Sequence, residues 1–501
     1  MDQSQAPLLD ALARAERHPF TGFGAPGHGH GSLPPRGMRR VVGAKAYKAD
    51  LLTTKGIDDR MESGGALARA EALAADAWGA DLCRFVTGGS TQSVHAVMAA
   101  VARAGDTVLI AGNAHKAEWA HALAAGLDAV PLPVQVDRDF DIETAVAPET
   151  LDAALAAHPH AKAVVVVSPN YYGITCDVAA LAEVAHGRGV PLVVDAAWGG
   201  AFAFSDRLPA DALALGADVQ LCSIHKTMTA LAQGSVILAR KGLVDLRRLR
   251  LAHGLFQSTS PSVPILASLD ATRRDHATGG AELWGGALDL AEDARARIAA
   301  IAGLRVWGRD RLPPGSELDP SAILIDLSEL GCAGYAADAW LEEHHGVAMG
   351  MAEARHLLAL VLPGVTGRQV GKLVRALSDL SDRVRRDPSM LPRADAIPPI
   401  GAVAFDRAMP PADAFFADAE EVAFEECAGR VAAEVVAPAP PGIPRVVPGQ
   451  RISEAHRDWL VASRDAGMFA LDPADPSERR VRVVKAGAEA ARPFMLAGAE
   501  A

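Results

Sequence analysis

Short, unbroken apolar runs recur along this chain: DTVLIAG, DAVPLPV, AVVVVSP, PLVVDAA, DVQLCSI and GSVILA. Stretches with helical spacing of apolar residues separate them, LAEVAHGRG among them. An earlier helix, ALARAEALAADAW, leads into the strand and glycine turn of DLCRFVTGGST. Runs of Val and Ile without polar alternation are strands covered on both faces, and their alternation with helices predicts a largely parallel sheet. The expected fold class is α/β. Beyond about residue 290 the rhythm changes: SAILIDL and HLLALVLP read as strands, GYAADAWLEEHH and VTGRQVGKLVRAL as helices, which makes a smaller α+β domain. The proline-rich stretches DPSMLPRADAIPP and APAPPGIPRVVPG bracket a last module. The division expected is an N-terminal arm over 1–40, a large domain over 41–290, a small domain over 291–390 and a C-terminal domain over 391–501.

A chain of 501 residues exceeds one compact core, and 50% hydrophobic with 22% charged residues is a globular balance. A formal charge of -12 opposes binding to nucleic acid, whose phosphates demand Lys and Arg. Cys83, Cys176, Cys222, Cys332 and Cys427 form no CxxC pair, so neither a metal site nor a disulfide framework is expected, and a reducing compartment suits them. The opening MDQSQAPLLDALARAERHPF lacks a signal-peptide core, and no stretch is apolar over the length of a membrane span. The expected location is the cytoplasm.

The chemistry concentrates in two segments. VVDAAWGG ends one expected strand at Asp195, and SIHKT follows another with Lys226. If the two strands run parallel, both residues emerge at the carboxyl edge, where open α/β sheets bind ligands. Pyridoxal phosphate needs such a pair: a lysine that forms an imine with its aldehyde, and a carboxylate that keeps its ring nitrogen protonated. Taken alone, Asp195 reads as a turn or helix cap and Lys226 as a surface lysine. The Ser223-x-His225-Lys226 run adds a hydroxyl and an imidazole beside the lysine, able to hold a phosphate or carry a proton. The turn Thr87-Gly88-Gly89-Ser90-Thr91-Gln92 lies between a strand and a helix, where amides and hydroxyls can donate to a phosphate; by itself it is equally an ordinary helix cap. His115, after DTVLIAG, has the flat ring to stack on a pyridine, or is a solvated loop histidine.

These motifs, in this order, resemble the Orn/Lys/Arg decarboxylases of the aspartate-aminotransferase fold type, in the short bacterial form. The resemblance runs through PGHGHG at 26–31, KGIDD at 55–59, the GGST turn, NAHK, SPNYYG, DAAWG, SIHKT, QSTSPS at 257–262, and PPGIP with a following PG at 440–449. It implies pyridoxal 5'-phosphate as cofactor, Lys226 as the Schiff-base lysine, Asp195 as the partner of the ring nitrogen and His115 as the stacking residue. It assigns the cofactor's surroundings to Gly89, Ser90, Thr91, Gln92, Ala197, Ser223 and His225. It also brings Ser258 and Thr259 to the phosphate of a neighbouring subunit, so the active unit would be a homodimer with shared sites.

The chain departs from the family pattern around the substrate. DAAWGGA stands where short members read DEAHGAH, with Trp198 as in the larger inducible enzymes; Gly350 replaces a glutamate, and Ala439 an aromatic. Asp58, Asp59 and Glu353 are candidates to meet a basic side chain. The function implied is decarboxylation of arginine, lysine or ornithine. Two alternatives stay open: another reaction on the same cofactor (transamination, aldol cleavage or oxidation), and a non-catalytic binding protein of the same fold.

Overall fold

The computed structural model describes residues 1–17, 23–52, 57, 65–402, 405–438 and 442–487. The chain forms two compact units: Met1–Val101 with Pro191–Gly285, and Ala102–Val190 with Gly286–Ala501.

In the first unit, four strands lie side by side in the order Leu82–Val86, Ser235–Ala239, Val219–Cys222, Leu192–Asp195. Their side chains are buried almost throughout, as their unbroken Val, Ile and Leu content requires. Leu192–Asp195 and Val219–Cys222 are parallel, with Asp195 opposite Leu221. Ser235–Ala239, the GSVILA run, is antiparallel to both its neighbours. The reason is its connection: between Cys222 and Ser235 the chain makes only the single helical turn Ile224–Thr227, not the crossover helix a parallel return needs. Helix Gly89–Val101 presents Val94, Val97 and Met98 to the core. The amino-terminal helix Pro7–Arg17 is fastened by a fully buried ion pair. Arg273 meets Asp270 at 2.6 Å and also donates to the carbonyls of Gln3 and Gln5, while Asp270 accepts from the Leu8 N–H.

The second unit holds three parallel strands in the order Ala163–Val167, Thr107–Ala111, Asp128–Leu132. A separate antiparallel sheet, Arg305–Val306, Ala322–Asp326, His356–Leu360 and Met351–Ala352, packs Ile323, Ile325 and Leu357 against Leu377 and Leu380 of helix Gly367–Arg386. A further core gathers Phe424 of the turn Phe424–Glu426, Trp459 and Leu460 of helix Glu454–Asp465, and Val481 and Val483 of strand Arg480–Val484, which pairs antiparallel with Ala419–Ala423. Each element has the periodicity its sequence carries: two-sided apolar runs for the parallel strands, and an apolar stripe on Gly367–Arg386 with Arg383, Arg385 and Arg386 at its carboxyl end. Among the described residues no helix is long and apolar enough to cross a membrane.

Candidate active site

In the first unit Asp195 closes its strand, and the next strand over, running the same way, delivers Lys226 one helical turn beyond its carboxyl end. The two residues therefore leave the sheet at one edge, as the sequence requires of them. Asp195 is 4% exposed, and its Oδ1 accepts from the Ala197 N–H at 2.9 Å, which turns the chain after the strand. Ala197 is buried beside it. The Lys226 Nζ stands 4.6 Å from the centroid of the Trp198 ring, a cation–π contact that holds the lysine near the DAAWG segment. Trp198, the residue that departs from the short family pattern, thus has a place at this site.

The glycine turn and SIHKT meet through hydroxyls. Ser90 Oγ lies 2.7 Å from Ser223 Oγ and 3.3 Å from Ser235 Oγ, and Ser235 Oγ lies 2.9 Å from Ser93 Oγ and donates to the Cys222 carbonyl. Ser93 and Ser235 were not among the residues singled out in the sequence. The signal for Ser93 was its spacing of one turn from Ser90 on the same helix; Ser235 is marked by nothing but its place at the start of a strand. Gly89 has φ +72 and open space where a side chain would stand, so the amino end of helix Gly89–Val101 is uncovered at that point. Thr91 is exposed in the first turn. Gln92 does something else: its amide nitrogen donates to the Phe256 carbonyl at 3.0 Å and to Gln257 Oε1 at 2.6 Å, so its hydrogens go to the start of QSTSPS rather than to a ligand. Ser258 and Thr259 follow as exposed residues, Ser258 Oγ accepting from the Ser260 N–H.

His225 is half-buried, its Nδ1 3.0 Å from the Gly234 carbonyl. A carbonyl only accepts, so Nδ1 carries the proton and the neutral ring offers Nε2 as an acceptor. Burial lowers the imidazole's pKa; the Gly234 bond opposes that, and the neighbouring Lys226 charge adds to it. His225 therefore donates to an anion only after taking up a second proton.

The first-unit residues fit a flat, phosphate-bearing cofactor. The hydroxyl cluster beside the amino end of helix Gly89–Val101 suits a phosphate, and the buried Trp198 Nε1, which has no hydrogen-bond partner among the described residues, is a donor beside Lys226. The Thr227 hydroxyl is likewise buried and without a partner among the described residues.

His115 belongs to the second unit, where it caps helix Lys116–Ala125 with its Nδ1 accepting from the Ala117 N–H. Glu353 is in the same unit, where it lines a cavity with Asp141, Tyr335 and Arg445. Partly buried, it accepts from the Tyr172 hydroxyl at 2.7 Å and lies 4.0 Å from Arg445, which in turn donates to Glu143 at 2.8 Å. Burial raises the Glu353 pKa against the pull of Arg445. Gly350 lines a groove of about 420 Å³ with Val347, Leu360 and Leu373, and a side chain there would press on the Leu358 carbonyl at 3.2 Å. Asp58, Asp59 and Ala439 lie outside the described residues.

Comparison with known proteins decides what this arrangement belongs to. The family model of the Orn/Lys/Arg decarboxylase major domain matches residues 6–313, and that of the family's C-terminal domain matches 402–467. The chain belongs to the Orn/Lys/Arg decarboxylase family. It is therefore an amino-acid decarboxylase, the enzyme class its motifs imply. An arginine decarboxylase of Halalkalibacterium halodurans is 33% identical over 486 residues, covering 96% of this chain and 98% of its own length. An arginine decarboxylase of Bacillus subtilis is 32% identical over 491 residues, covering 97% and 99%. Among solved structures, a lysine decarboxylase of Francisella novicida superimposes with a TM-score of 0.80 at 19% identity, over 96% of this chain and 81% of its own. The fold is that of the fold type I enzymes, α/β with a mainly parallel central sheet, as the apolar runs foretold.

Proposed function

We propose that this chain decarboxylates a basic amino acid with pyridoxal 5'-phosphate as cofactor, releasing the amine and carbon dioxide. The observation that carries the reading is the parallel pair of strands that brings Asp195 and Lys226 to one edge beside the Ser90–Ser223 hydroxyls. Arginine is the substrate favoured, because the full-length relatives at 33% and 32% identity bear that name. Lysine and ornithine are its competitors.

When bound, the cofactor supplies an electron sink for the bond that loses carbon dioxide. The protein's part is positional and protic. Lys226 would hold the cofactor through its Nζ, which stands beside the Trp198 ring. Asp195, buried, keeps the ring nitrogen protonated. Ser90, Ser223 and the amide end of helix Gly89–Val101 hold the phosphate, with Gly89 allowing its approach. Lys226 Nζ then returns a proton to the α-carbon; neutral His225, whose Nε2 has no proton to give, is the weaker candidate for that step. By the family resemblance, His115 is the residue that would stack on the ring. The exposed Ser258 and Thr259 reach the phosphate of a second copy, which makes the working unit a homodimer. The free, buried cysteines suit a reducing cytoplasm.

Purified protein mixed with pyridoxal phosphate tests the reading. A visible absorbance band that disappears in K226A is expected; a wild-type protein that stays colourless overturns it.

A further inference from the structure

The PPGIP run, described from Gly442 onward, plays no part in the reaction just outlined, yet it lies against His115. The imidazole is held on one edge by the Ala117 N–H at Nδ1, which leaves the neutral ring's proton on Nε2. The opposite edge faces Gly442. A methyl group at that residue would stand 3.0 Å from Nε2 and 3.2 Å from Cδ2, tighter than most side-chain contacts, so that the ring would have to shift by a few tenths of an ångström. Gly442 also has φ +91, a backbone region that suits glycine alone, and its carbonyl accepts from the Lys116 N–H at 2.9 Å. The position thus disfavours a side chain twice over, by contact with His115 and by backbone.

Three residues later the same segment is anchored. Arg445, 7% exposed, donates to Glu143 at 2.8 Å and faces Glu353 at 4.0 Å, and Glu353 takes the Tyr172 hydroxyl. Tyr172 belongs to SPNYYG, at the carboxyl end of strand Ala163–Val167, which is parallel to the strand that leads to His115. Three residues of chain span at most about 10 Å, so the anchor bears directly on Gly442. A guanidinium 7% exposed, hydrogen-bonded to Glu143 and paired at 4.0 Å with Glu353, is a rigid support.

We propose that Gly442 and Arg445 are positioning residues for His115: Gly442 fixes the Nε2 edge of the ring, and Arg445 fixes Gly442. With both edges held, the imidazole cannot turn about its side-chain bonds and presents a constant face. This rests on His115 being the residue that covers the cofactor ring.

The test uses full-length protein loaded with pyridoxal phosphate, and reads the cofactor's dissociation constant and the circular dichroism of its visible band. In G442A the dissociation constant should rise roughly tenfold and the dichroic band should change, because a displacement of about 1 Å is enough to spoil a contact geometry. In an H115A background the same substitution should add nothing. R445K, which keeps the charge and loses the planar guanidinium that spans Glu143 and Glu353, should move both signals in the same direction, and serves if G442A does not fold. Unchanged signals in the folded variants, or an equal effect of G442A with and without His115, overturn the inference alone. A wild-type chain that takes up no cofactor overturns the functional reading beneath it.

Discussion

Asp195 is a carboxylate at 4% exposure, and a group so placed needs donors to stay ionised; the Ala197 N–H supplies one. D195N would keep the shape and remove the charge. We expect it to bind the cofactor and to lose about 10²-fold or more in kcat, the scale on which a preorganised electrostatic partner acts, as steady-state kinetics on the loaded protein will show. Ser223 is buried and bonded to Ser90 Oγ. S223A should weaken the cofactor about 10-fold or more, since a hydrogen bond to a charged phosphate contributes about 1.5–3 kcal/mol, and equilibrium dialysis measures it. The positions of Lys226, Asp195, Ser90 and Ser223 were legible because each sits at a strand end or a glycine turn, features that local sequence determines. The engagements of Gln92 and Glu353 were not. Gln92 is satisfied by Phe256 and Gln257, and Glu353 by Tyr172 and Arg445, partners far along the chain whose approach no spacing rule encodes.

At the level of elements, the continuous apolar runs identified the strands and the helical spacing the helices, but direction depended on what joins them. GSVILA turned out antiparallel because one helical turn, not a crossover, precedes it. The amino-terminal helix carries a different lesson. Nothing in MDQSQAPLLDALARAER announces that Arg273 and Asp270, both fully buried, would clasp Gln3, Gln5 and Leu8. Breaking a buried pair leaves one charge uncompensated, and this pair also satisfies backbone groups. R273M should therefore destabilise the protein by about 3–5 kcal/mol in denaturant unfolding, and should free the first residues for early proteolysis.

For the molecule as a whole, titration of its buried histidines sets an acid limit. His456, 1% exposed at the third position of helix Glu454–Asp465, has its pKa lowered by burial to about 4. Folding therefore favours the neutral ring. Its stabilising contribution is full above about pH 6.5, falls as the pH drops toward 4, and amounts to about 3 kcal/mol across that window. H456Q keeps the capping box that Ser453 makes with this position, for which glutamine is an ordinary partner, and removes the titration. Its unfolding free energy should vary less between pH 6.5 and 4 than that of the wild type. The chain belongs to the Orn/Lys/Arg decarboxylase family, and two arginine decarboxylases match it nearly end to end. What reaction its cofactor site performs is best read from products. Incubated with pyridoxal phosphate and arginine, lysine or ornithine labelled at the carboxyl carbon, the protein should release labelled carbon dioxide and the matching amine in equal amounts, arginine fastest, and K226A none. Keto acid or peroxide without labelled carbon dioxide would contradict the account.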